Sequence, residues 1–124
     1  MSPSEVEWHP DGAITIRLSR WVRLVGVHPA PAMHFTATEV VRVRRGDARG
    51  VGRELRWRIA GAALSRQRAM GWFSRASHRG RWAWVWMTPG RRLLVIETTR
   101  RRPALVAVPS DWLHMERATG IEPA

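Results

Sequence analysis

The chain has 124 residues, enough for one domain with a single hydrophobic core and too few for two of ordinary size. It contains no cysteine, which excludes disulfides and thiolate metal sites. No apolar run approaches the roughly 20 residues that cross a bilayer as a helix, and the formal charge is +11.

All 21 basic residues are arginine, and lysine, asparagine and tyrosine are absent. Those three absent types share A/T-rich codons, so a G+C-rich genome accounts for arginine in place of lysine. It does not account for 21 bases against 10 acids. Between Arg17 and Arg102, 20 arginines stand against Glu39, Asp47, Glu54 and Glu97, a net +16, while the two ends together carry −5. Such a body attracts polyanions of any kind.

In chain order, residues 1–11 are acidic and proline-containing and read as a flexible leader. The N-terminus has neither a basic start nor an apolar stretch of signal-peptide type, which predicts a cytoplasmic protein. After the Asp11-Gly12 turn signal, Ala13 to Leu18 alternates strictly and predicts a strand with Ile14, Ile16 and Leu18 on one face. Ser19 to Gly26 fits either a short helix, from the spacing of Trp21, Leu24 and Val25, or a continued strand. His28 to Ala32 is extended, because each proline removes a donor and restrains its predecessor.

Met33–Phe35 and Val40–Arg44 predict two more strands, the second with Val41 and Val43 on one face and Arg42 and Arg44 on the other. Gly46–Gly50 reads as a turn or loop. Arg53–Ile59 alternates again and places Leu55, Trp57 and Ile59 inward. Gly61–Arg66 reads as irregular, Gln67–Phe73 as extended and Ser74–Gly80 as a turn. Gly80 to Val108 holds three apolar runs separated by Thr-Pro-Gly-Arg-Arg and by Thr-Thr-Arg-Arg-Arg-Pro, the pattern of an antiparallel meander. Pro109-Ser110-Asp111 then predicts a short C-terminal helix capped by Ser110.

About seven strands closed by one C-terminal helix predict a mainly β fold, an antiparallel barrel or split barrel over residues 12–116. That order resembles a pleckstrin-homology (PH) domain, and the chain looks like the small bacterial PH-like proteins of actinobacterial type. The resemblance rests on Arg58, Gly61 and Gly71, then Gly80, Trp82, Trp84 and the strand Leu93–Ile96. Ala62, Ser65 and Arg66 stand where that group carries Thr, Pro and Gly. What the resemblance implies is a scaffold presenting loops and an edge. It does not imply phosphoinositide binding, because the first loop offers only Arg20 and Arg23. Residues 117–124 read as a disordered tail, and from Glu116 onward the sequence resembles a peptide produced by read-through of a tRNA gene.

The chemistry-bearing residues are mostly arginines. Arg42, Arg44, Arg45, Arg91, Arg92, Arg100, Arg101 and Arg102 are the candidates for anion contact, since a guanidinium bonds two phosphate oxygens at once. The turns carrying Arg91-Arg92 and Arg100–Arg102 fall at opposite ends of the predicted strands and do not form one patch. Trp82, Trp84 and Trp86 share a strand face that reads as core or subunit contact ahead of a stacking platform. The histidines lack the spacing of a metal site; His28, Met33 and His34 are the closest group. No phosphate-binding glycine loop, nucleophile elbow or paired acids occur, so no enzyme activity and no cofactor are predicted. The expectation is a binding or scaffold module for a protein partner or an anionic membrane surface, with homo-oligomerisation as a use of the Trp row. Sequence-independent nucleic-acid binding is the competing reading.

Overall fold

The computed structural model describes residues 5–63, 68–75 and 80–110. The chain is mainly β, with nine strands in two sheets and two short helices among those residues. Glu5–Trp8 (β1), Ile14–Arg17 (β2) and Ala32–Phe35 (β3) form an antiparallel sheet in sequence order. The remaining strands are Val40–Asp47 (β4), Leu55–Ala63 (β5), Ala69–Arg75 (β6), Trp82–Met87 (β7), Arg92–Thr98 (β8) and Leu105–Pro109 (β9). They make a second sheet in the order β4-β8-β9-β7-β6-β5. Helix α1 (Arg20–Val25) joins β2 to β3, and α2 (Ala48–Glu54) joins β4 to β5.

Several expectations are corrected here. Residues 5–8 are a strand rather than part of a flexible leader, because Val6 is fully buried and the segment pairs along β2 from Glu5↔Arg17 to Trp8↔Ile14. Gly46 and Asp47 end a strand and residues 48–54 form a helix, where a turn or loop was expected over Gly46–Gly50 and a strand from Arg53. Asp47 caps that helix by accepting the Gly50 N–H at 2.7 Å. Gly61–Ala63 continue β5 instead of being irregular. The open question at residues 19–26 resolves as helix, with the Ser19 side chain accepting from Val22 N.

Two strands do not keep the alternation read from sequence. A register shift between Val40 and Arg42 turns Val41 outward. Shifts between Leu55 and Arg58 and between Arg58 and Ala60 leave Trp57 and Ile59 exposed rather than inward. The fold is also not a closed barrel: β4 and β5 are the two edges of the six-stranded sheet and do not pair. The predicted C-terminal helix beyond Ser110, and the tail, lie outside the described residues.

The three apolar runs of Gly80–Val108 are all strands, but not a meander. β9 enters between β7 and β8, parallel to β7 (Trp84↔Val106) and antiparallel to β8 (Val95↔Ala107). Its composition suits the place. Every residue from Leu105 to Pro109 is buried, as fits a strand with both faces covered by packed layers.

Each face of the larger sheet is therefore covered. On one face Trp84, Leu94, Ile96, Val106 and Val108 pack against Val6, Ile14, Ile16 and Phe35 of the small sheet and Val22 of α1. On the other, Val85, Leu93, Val95, Leu105 and Ala107 pack with Ala48 and Val51 of α2. Full burial of a side chain of this size stabilises by roughly 1.5–3 kcal/mol. The layers are joined by polar contacts as well. Trp84 Nε1 donates to Gly26 O at 2.9 Å and Trp72 Nε1 to Val27 O at 2.8 Å.

Gly61 and Gly71 face each other across β5 and β6, with φ of +116° and +134°. A Cβ on Gly71 would run into the Ala60 carbonyl oxygen, and one on Gly61 into that of Met70. Gly71→Ala is expected to lower stability by about 2–4 kcal/mol, since strain at positive φ adds to a backbone clash. Chemical denaturation measures it; a loss below about 0.5 kcal/mol would show that β5 is not held against β6 in this register.

Candidate functional site

The eight arginines named from sequence do not gather into one site. Arg100 is structural: its Nε donates to Glu39 at 2.7 Å, its guanidinium also reaches the His34 carbonyl, and it lies 4.7 Å from the Phe35 ring centre. It thus ties the β8–β9 connection to β3. Arg44 is half-buried between Glu54 at 2.6 Å and Glu97 at 3.4 Å. Burial opposes its charge, but its hydrogen bonds to Glu54 and Glu97 and their negative charges outweigh that and raise its pKa above the ordinary value. Arg102 lies 3.8 Å over the Trp82 ring and Arg101 is exposed beside it. Arg42 is exposed on β4 opposite Glu97.

Arg45 and Arg92 do come together. With Arg44, Gly46, Gly50 and Val51 they line a cleft. Asp47 lies in the same cleft opposite Arg92, so the local charge is mixed. Arg91 is exposed at that end of the sheet. The separation read from sequence holds: β8 begins at the Arg92 end beside Pro109, and the Arg100–Arg102 turn lies at the other end beside Trp82.

The Trp row is core at its centre. Trp84 is fully buried, whereas Trp82 and Trp86 are partly covered. Large apolar side chains are exposed elsewhere. On α1, Trp21 is 54% and Leu24 73% exposed, and Val27 just beyond the helix is 48% exposed. Trp21 and Leu24 stand three residues apart, on one helix face, while Val22 points into the core. Beside them a groove of about 170 Å³ is lined by Val25, Ala62, Met70, Trp86, Met87 and Arg68. Arg20 is exposed at the start of the same helix. The sequence signal was the Trp21, Leu24, Val25 spacing, but spacing alone does not tell which helix face turns outward.

A second exposed group lies on the β5 edge, where Trp57 is 66% exposed and the Arg56 guanidinium lies 5.8 Å from its ring centre. Arg58, next in the strand, and Arg53, in the last turn of α2, are also exposed.

The histidines are distributed by burial. His28 is enclosed, stacked on Trp72 at 5.7 Å and edge-on to Trp84 at 5.6 Å. Burial pushes its pKa below the usual imidazole value, assisted by the nearby Arg23 charge and opposed by the bond to Ala30 O. Met33 is core and His34 faces outward, so the trio nearest in sequence is split apart. Instead His9 and His34 meet across Thr15 on the outer face of the small sheet, a pairing invisible without the strand register. Among the described residues, no group of three or more His, Cys, Asp or Glu side chains is arranged to hold a metal. No described helix is long and apolar enough to cross a membrane. Compared with protein-family models, curated proteins and solved structures, the chain matches none of them.

Two titrations bear on how the layers hold together. The neutral His28 ring is favoured in the folded chain, so its contribution is full above pH 6.5 and falls away as pH drops through its lowered value. The bond from Arg100 lowers the Glu39 pKa to about 2, so its contribution is present above about pH 4.5 and is lost as pH falls through about 2. Thermal unfolding across pH is expected to show two separate losses, the upper one flattened in His28→Gln and the lower one in Glu39→Gln. Identical pH profiles for wild type and both variants would break the assignment.

Proposed function

We propose that the chain is a non-enzymatic binding module of the bacterial cytoplasm that attaches to an anionic membrane surface through α1. The observation that carries this is the exposed face of α1: Trp21, Leu24 and Val27 outward, with Arg20 beside them, on a chain of net charge +11. Tryptophan and leucine at a membrane interface gain by burying area, and each arginine near an anionic leaflet contributes about 1 kcal/mol. Together these give a few kcal/mol, the range of reversible attachment rather than insertion. The resemblance to small bacterial PH-like proteins supports the same class, a β scaffold that presents a surface for binding.

A second reading, single-stranded nucleic-acid binding, draws on one specific feature. Trp57 offers an open ring on a sheet edge with the Arg56 guanidinium beside it and the exposed Arg58 next to it in the strand, the pairing of stacking surface and phosphate contacts that such binders use.

Sedimentation with phosphatidylcholine vesicles, with and without phosphatidylglycerol, tests the first reading. Binding is expected only with the anionic lipid, falling about tenfold in Leu24→Ala and in Trp21→Ala with folding unchanged. Absence of binding to anionic vesicles at low salt would overturn it, and self-association lost in the same variants would reassign the patch to a second copy of the chain.

Short single-stranded oligomers test the other reading. It requires affinity that drops steeply as salt rises and that weakens in Trp57→Ala, since stacking contributes about 1–3 kcal/mol per base. No binding at low salt, or binding indifferent to Trp57, would sink it.

A further inference from the structure

His9 and His34 belong to different strands of the small sheet, yet their ring nitrogens converge on one point. His9 Nε2 and His34 Nδ1 each lie 2.8 Å from Thr15 Oγ1, and the ring centres are 6.0 Å apart. The register explains this: Thr15 pairs with His34 on one side, and His9 follows β1 on the other, closing the turn by bonding its N–H to Ala13 O. Ile14 and Ile16 point into the core, so Thr15 and both rings share the outer face. There they border a cleft of about 430 Å³ that also contains Asp11 and Thr36. Asp11 Oδ1 accepts the Ala13 N–H at 3.0 Å, which anchors its carboxylate at the rim.

A hydroxyl has one proton to give. Between two neutral imidazoles it accepts from one and donates to the other, so only one ring lone pair is engaged at Thr15. A cation at that point engages both. We propose that His9 and His34 form a binding site for a divalent transition metal of the zinc type, with water completing the shell and the Asp11 carboxylate supplying nearby negative charge. Imidazole donors select zinc, copper or nickel over calcium and magnesium, which take oxygen ligands.

The movement required is small. A Zn–N bond is roughly 2.0–2.1 Å, so a metal replacing the hydroxyl draws each ring inward by about 0.7 Å while Thr15 turns to another staggered rotamer. His34 is exposed and His9 only partly covered, so no core packing resists the shift. Two protein ligands make a weaker site than the three or four of catalytic and structural zinc centres. This site is distinct from the α1 surface and stands whether or not the membrane reading does.

The test is a titration of the intact chain with zinc chloride by calorimetry, on wild type, His9→Gln and His34→Gln. Glutamine preserves a polar contact to Thr15, and matching thermal unfolding of the three proteins checks that the fold is kept. Uptake of one zinc per chain, weakened at least tenfold in both variants, is the expected result. Absence of saturable uptake by wild type would overturn the proposal. So would wild-type affinity in either variant, which would assign the zinc to the chain's other histidines.

Discussion

Two indole N–H groups decide how the layers of this protein meet. Trp84 sits on β7, which is covered on both faces, so its N–H has no water to turn to and bonds the Gly26 carbonyl instead. Trp72, one strand away, takes the next carbonyl, that of Val27. Leaving the Trp84 donor buried and unpaired would cost about 1–3 kcal/mol, whereas the Trp72 bond is open to solvent and adds less. The loop that receives them admits little else, since a Cβ on Gly26 would lie 2.7 Å from the Trp84 ring. With the exit of α1 fixed in this way and Val22 inserted in the core, the opposite face of a six-residue helix must point to solvent. The exposed Trp21 and Leu24 follow from the docking of the loop behind them.

The arginines divide along the same logic. Arg44 and Arg100 are spent on Glu54, Glu97 and Glu39, three of the four acids between Arg17 and Arg102. Arg75 adds a second, longer pair to Glu54. Because several bases share so few acids, most of the remaining positive charge is left to the surface, and it is spread over both ends of the larger sheet and the β5 edge. A field of this kind draws in anions without selecting among them. Selection falls to the apolar groups set within it, Trp21 and Leu24 on α1 and Trp57 on β5.

Strand content was legible in the alternation of Ile14–Arg17 and in the apolar runs after Gly80 bounded by turn residues. The buried centre of the Trp row followed from apolar residues on both sides of one strand. What the chain does not display locally is pairing. Nothing near Leu105 says that it enters between two strands already joined by a short turn, and nothing near Val41 or Trp57 announces the register shifts that expose them. One partner of Arg44, Glu97, lies 53 residues away and that of Arg100, Glu39, 61 residues away, beyond any window of local pattern. His9 and His34 are likewise 25 positions apart and meet only because Thr15 lies between them in the sheet.

The position of β9 carries a consequence for how the protein is made. A ribosome delivers β7 and β8 before the strand that separates them, so for a time two apolar strands exist without their shared neighbour. The order of synthesis and the order of pairing in the sheet therefore conflict, and the larger sheet can be completed only once residues 105–109 have emerged. Until then the nascent chain shows open, hydrophobic strand edges, the surface that holding chaperones and self-association compete for.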